Sequence, residues 1–154
     1  MESLTTDWKE FLGLLLSHRV EFLLIGGHAL AVHAQARFTE DLDVFVDASP
    51  ENAARLLAAL RDFGFGAVAP SVEELATKDK VFMLGEKPYR IDVLTTISGV
   101  EFSDAWRDRV FLDLEMGRIP TIDRQSFIRN KRASGRPKDL ADLAMLEASE
   151  PDDG

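Results

Sequence analysis

The chain contains no cysteine, which excludes disulfides, thiolate catalysis and cysteine-based zinc sites. Cations are also in short supply. Eighteen Lys and Arg face 27 Asp and Glu, a net charge of −9, which argues against binding nucleic acid through bulk electrostatics but leaves room for a local basic patch. No apolar run approaches the ~20 residues of a membrane span. The longest apolar stretch, "FLGLLLSHRVEFLLIGG" (11–27), is interrupted by Ser17, His18, Arg19 and Glu21. The first residues, "MESLTTDWKE", are polar and acidic, unlike a secretory signal. The expectation is a cytoplasmic protein with no membrane partner.

What is present suits a globular fold. At 154 residues, 45% of them hydrophobic, the chain is sized for one domain with one sizeable core. That domain is expected over 1–148, with 149–154 as a disordered tail. A helix is predicted from a cap at Thr5 or Thr6, with Trp8, Phe11, Leu12 and Leu15 on one face. "VEFLLI" (20–25) reads as a short buried strand stopping at Gly26-Gly27, followed by a helix over 28–36. "SPENAARLLAALRDFG" (49–64) is the clearest helix, with Ser49 to cap it, Pro50 in its first turn and Gly64 to end it. Residues 66–80 read as irregular. Hairpins are predicted over 81–95 and 110–122, a short helix over 101–109, and two closing helices over 123–134 and 137–148 split by Gly135. Strands alternating with helices, then hairpins and helices, indicate an α/β (α+β) domain: a mixed β-sheet flanked by helices.

The chemistry centres on "RFTEDLDVFV" (37–46). On a strand, Leu42, Val44 and Val46 would line one side, and Asp41 and Asp43 would share the other with Phe45. Two carboxylates about 4 Å apart repel by about 4 kcal/mol even at an effective dielectric near 20. Asp92 is a third acid on a predicted strand. Either these acids lie on a solvated edge, or a cation sits among them. Mg²⁺ takes a few carboxylates along with waters and phosphate oxygens. Carboxylates holding such ions can clamp the attacking and leaving oxygens of a phosphoryl displacement, and one can take the proton of the attacking hydroxyl. "LLIGGHA" adds a glycine pair between strand and helix, which is either a tight turn or a seat for phosphate at the helix N-terminus.

Gly26-Gly27, thirteen residues, Asp41-Leu42-Asp43 and a later strand aspartate together resemble the nucleotidyltransferase superfamily of the DNA polymerase beta fold. Within it, "LLIGGHALAVHAQARFTEDLDVFV", "YRIDVLTTISGVEF" and "KRASGRPKDLADLAML" are similar to the bacterial AbiEii-type, or type IV toxin-like, nucleotidyltransferases. The resemblance covers roughly residues 20–147. It implies that Asp41 and Asp43 bind metal and that Asp92 is the third carboxylate, which helps deprotonate the acceptor. It implies Mg²⁺, with Mn²⁺ as a substitute, and a nucleoside triphosphate substrate contacted by Gly26 and Gly27. Gly27 stands where the superfamily commonly has a serine whose hydroxyl reaches a phosphate. Arg37 and Thr39 occupy a basic-x-hydroxyl position suited to phosphate, or else form a capped loop with a solvated arginine.

The implied reaction moves a nucleoside monophosphate to an acceptor hydroxyl on an RNA end, a protein or a small molecule, and releases pyrophosphate. A toxin–antitoxin or phage-defence setting, with a cognate antitoxin or toxin as partner, is likewise what the resemblance implies. The other reading is a non-catalytic nucleotide-binding or antitoxin-like module on the same fold.

The basic run "RNKRASGRPK" (129–138) carries Lys131, Arg132, Arg136 and Lys138 around Gly135. It is either a solvated surface with pairs such as Lys138–Asp142 or a cationic seat. In the helix that follows, Leu140, Leu143, Ala144 and Leu146 are expected to pack inward, with Lys138, Asp139 and Asp142 on more polar positions. By the resemblance, Lys131 or Lys138 neutralises the triphosphate or pyrophosphate and Asp139 and Asp142 orient those cations. His28 is expected to cap or be partly buried and His18 to be on the surface. His33 is near the acids in sequence. No His spacing supports zinc. Trp8 and Trp106 are expected in packing roles.

Overall fold

In the computed structural model, which describes residues 4–36 and 38–149, the chain opens on α1 (Thr6–Ser17). The Thr5 side chain accepts from the Trp8 backbone N–H at 3.1 Å, so the predicted cap forms. Trp8, Phe11, Leu12 and Leu15 are all buried, as their helical spacing requires. The elements that follow are β1 (Phe22–Ile25), α2 (Gly26–His33), β2 (Asp41–Val46), α3 (Pro50–Phe63), α4 (Val72–Leu75), β3 (Val81–Leu84) and β4 (Arg90–Leu94). Then come α5 (Phe102–Arg107), β5 (Val110–Leu114), β6 (Gly117–Thr121), α6 (Arg124–Ser134) and α7 (Pro137–Ala148). Ser149 ends α7. The rest of the expected tail lies outside the described residues.

The strands form one mixed six-stranded sheet in the order β3-β4-β2-β1-β6-β5. Both predicted hairpins, β3–β4 and β5–β6, are antiparallel, whereas β2–β4 and β1–β6 run parallel. Helices cover both faces. Leu42, Val44 and Val46 join Phe22, Leu24, Ile91 and Val93 in one core with α1, α3 and α4. Phe45 points the other way, into a second core with Leu23, Ile25, Leu30, Phe127 and Leu146. The side assignment along β2 therefore follows the strand period, with each fully buried Leu or Phe contributing about 1.5–3 kcal/mol.

Several boundaries differ from expectation: β1 begins at Phe22, two residues after the predicted start, and α5 spans only Phe102–Arg107. α2 begins at Gly26 and ends at His33, two residues earlier than predicted at its start and three at its end. Residues 66–80, expected to be irregular, contain α4. A reciprocal cap holds this single turn: the Glu74 carboxylate accepts from the Ser71 N–H at 2.9 Å and the Ser71 hydroxyl from the Glu74 N–H at 3.1 Å.

Candidate active site

β2 and β4 lie side by side with Asp41 opposite Arg90 and Asp43 opposite Asp92. Residues paired across neighbouring strands point to the same face, so all four side chains emerge together. Asp41, Asp43 and Asp92 each offer a carboxylate oxygen, and these atoms lie within 4.8 Å of one another. Asp92 is 7% exposed, and Asp41 and Asp43 are half-buried. The structure therefore brings the three acids proposed from sequence into one cluster.

Arg90 lies among them. Its Nε donates to Asp92 Oδ1 at 2.8 Å, and its Nη2 donates to both Asp92 Oδ2 and Asp41 Oδ2 at 3.0 Å. Asp43 is outside this grip. Burial, then the charges of Asp41 and Asp92 and a hydrogen bond with Asp92, push its carboxyl up to about 7, against a weaker downward pull from Lys138. Arg90 is absent from the sequence-derived candidates. The signal was there: it precedes Asp92 by two residues on a strand, the spacing that sets two side chains on one face.

β1 is antiparallel to β2 with Ile25 opposite Asp43, so the glycine turn starts beside the acids. Gly26 has φ +73, and a Cβ there would collide with the Asp43 carboxylate. Only glycine combines that backbone with that approach. Gly26 and Gly27 border a cleft of about 370 Å³ with Asp41, Asp43 and the cations Lys87, Lys131, Arg136 and Lys138. The acids also border a neighbouring cleft of about 580 Å³ that runs past Val81, Met83, Leu94 and Ile97. Lys87, Val81 and Met83 are likewise missing from the sequence candidates, since nothing local shows that the β3–β4 turn faces the acids.

The basic run divides in two. Lys138 is exposed at the cleft. Lys131 is buried, with its Nζ 3.3 Å from Asp139 Oδ1 and 3.1 Å from Asp142 Oδ2, and 5.2 Å above the Phe127 ring. The Arg136 guanidinium donates to Asp139 at 2.7 and 3.1 Å and its backbone N–H at 3.2 Å. Burial pushes the Asp139 carboxyl up, but the Arg136 hydrogen bonds and the Lys131 charge outweigh it and hold the group below its ordinary value. The expected inward face of α7 is corrected here. Asp139 and Asp142 are each 1% exposed, whereas Leu140 is 52% exposed and Ala144 also faces outward. A buried ammonium is tolerable only with carboxylates against it, and that need turns the helix. Leu146 does pack inward, with Leu143 partly so. Asp142 pairs with Lys131.

Arg37 lies outside the described residues. Thr39 borders the smaller cleft, and its hydroxyl is 3.0 Å from His28 Nε2. His28 is buried, hydrogen-bonds the Asp41 backbone and meets the Trp8 ring edge-on at 5.1 Å. Burial lowers its pKa against the opposing influence of Asp41, so a neutral ring braces the loop before the acids. His33 is remote in role: its Nε2 is 2.7 Å from the Ile122 carbonyl. His18 contacts Asp62 at the surface. Trp8 is core, and Trp106 stacks on Phe102 beneath Arg109.

The model of a protein family described as "Nucleotidyl transferase AbiEii toxin, Type IV TA system" fits residues 14–154. No curated protein matches the chain.

Proposed function

The chain belongs to the AbiEii nucleotidyl transferase toxin family, and on that premise we propose that it is a Mg²⁺-dependent nucleotidyltransferase. It would move a nucleoside monophosphate from a nucleoside triphosphate to an acceptor hydroxyl and release pyrophosphate. The observation that carries this reading is the convergence of Asp41, Asp43 and Asp92 within 4.8 Å, beside a glycine turn and a wall of four cations. The donor set fits a hard divalent ion, being all carboxylate. Burial and then the charges of Asp41 and Asp92 push Asp43 up to about 7, and such an ion would relieve the repulsive part of that pressure. Mg²⁺, or Mn²⁺ in its place, would supply charge stabilisation to the transferring phosphoryl group and the leaving pyrophosphate.

The chain's own residues divide the remaining work. The backbone N–H groups at Gly26-Gly27 and the ammonium of Lys138, with Lys87 and Arg136 beside it, take the phosphates. Lys131 adds positive charge from behind, its place secured by Asp139 and Asp142. Asp92 takes the proton of the acceptor hydroxyl. The acceptor oxygen bonds to the α-phosphorus as the bond from that phosphorus to the bridging oxygen breaks, and the electron pair leaves with pyrophosphate. Each Asp92 oxygen receives one hydrogen bond from Arg90, which holds the carboxylate in place for this role. The acceptor is an RNA end, a protein side chain or a small molecule. A cognate antitoxin and a cytoplasmic location belong to the same proposal.

The test is label transfer. The protein is incubated with Mg²⁺, each α-labelled nucleoside triphosphate and a cell extract, and label is sought in RNA, protein and small molecules. Transfer by the wild type that falls at least ~10²-fold in Asp43→Ala is expected, the scale of losing a group that stabilises transferring charge. Transfer by the variant at the wild-type rate overturns the site. No transfer, with a Mg²⁺-dependent thermal shift on adding nucleotide, supports the non-catalytic binding module instead.

A further inference from the structure

Arg90 brings a guanidinium into the middle of a carboxylate cluster. Three features make this more than a surface ion pair. The contact is bidentate on Asp92, through Nε–Oδ1 at 2.8 Å and Nη2–Oδ2 at 3.0 Å, and the same Nη2 reaches Asp41 on the neighbouring strand. The participating side chains are largely screened from water, at 21% exposure for Arg90, 24% for Asp41 and 10% for Asp92, so their charges act strongly on one another. The strand register sets Arg90 directly opposite Asp41 and two residues from Asp92, so the backbone of two paired strands maintains the arrangement.

We propose that Arg90 is a positioning residue with two effects: it aligns Asp41 and Asp92, and its charge weakens the hold of the nucleotide-free site on a divalent cation. The inference rests on the metal-site reading above. A guanidinium shared by Asp41 and Asp92 repels an incoming divalent ion and competes for two of its three ligands. A nucleoside triphosphate brings oxygen ligands and negative charge of its own, which offset both effects. The ion therefore enters efficiently together with the nucleotide, and the site holds it weakly without one. The planar fork also fixes where the Asp92 carboxylate points, which a single ammonium would do less well.

The experiment titrates Mn²⁺ into nucleotide-free protein, followed by the paramagnetic resonance of free Mn²⁺, for the wild type, Arg90→Met, Arg90→Lys and Asp43→Ala. Circular dichroism confirms that each is folded. Arg90→Met is expected to bind Mn²⁺ on the order of tenfold more tightly than the wild type, because a cation has left an acidic cluster. Arg90→Lys keeps the charge and is expected to stay near the wild type in Mn²⁺ affinity, while losing label transfer with the fork. A gain in affinity is not something that mere disruption of the strands would produce. Equal or weaker Mn²⁺ binding by folded Arg90→Met overturns the role of Arg90 and leaves the metal site standing, provided Asp43→Ala still abolishes binding. Absence of Mn²⁺ binding in every protein, with and without nucleotide, overturns the metal site and this inference together.

Discussion

At the scale of single residues, Asp43 is, among the described residues, the group held furthest from its ordinary state. Burial and two neighbouring carboxylates push its pKa from 3.8 up to about 7. A carboxyl with a raised folded-state pKa contributes full stability below its unfolded value and loses it as pH rises through the folded value. The window is therefore pH 3.8 to about 7. In metal-free solution Asp43→Asn should gain stability relative to the wild type steadily across that range, with no further change above about 7. Thermal melts in a chelator at intervals from pH 4 to 8 measure this. A gap that stays constant with pH would show that Asp43 is not under this pressure. Added Mg²⁺ should shrink the gap at pH 8 by stabilising the ionised wild-type carboxylate.

At the scale of elements, α7 shows how a buried charge overrides a hydrophobic pattern. Its leucines suggest an inward face through Leu140 and Ala144, but the carboxylates of Asp139 and Asp142 turn inward against Lys131. Breaking a buried ion cluster by removing one partner costs about 3–5 kcal/mol, because the remaining charge stays buried. Asp139→Leu is therefore expected to destabilise by about that amount in urea unfolding, although it adds apolar surface to a helix. Leu140→Ser, on the exposed side, should stay within about 0.5 kcal/mol of wild type. The reverse order would mean that α7 packs by its leucines after all.

At the scale of the whole molecule, the sheet is a platform with two cores, and the acids lie on the face that carries α2, α5, α6 and α7. Cations from the β3–β4 turn and from the α6–α7 junction reach the same cleft, so nucleotide and metal would tie distant segments together. A ligand that binds only the folded state stabilises it by about 2.7 kcal/mol at a hundred times its dissociation constant. Mg²⁺ with a nucleoside triphosphate should thus raise the melting temperature well beyond either alone, and Asp43→Ala should abolish the excess. Additive shifts from ion and nucleotide would count against a shared site. Among the described residues no helix is long and apolar enough to cross a membrane.

Much of this was legible in the residues. The period of two along "DLDVFV" placed Asp41 and Asp43 opposite Leu42, Val44 and Val46. Caps at Thr5 and Ser49 and the stop at Gly64 bounded α1 and α3, because turn and cap chemistry is local. Local chemistry does not reveal which strand lies beside which. That β4 lies parallel to β2 in a register pairing Asp43 with Asp92 was decided by tertiary structure, and with it the clamp of Arg90 and the pressure on Asp43. The inward turn of α7 was decided in the same way, since the burial of Lys131 is set by packing far along the chain. The sequence by itself determined most of the elements, the two sides of β2 and the acids. The fold decided which charges meet, because repulsion and ion pairing depend on distances that only the packed chain sets.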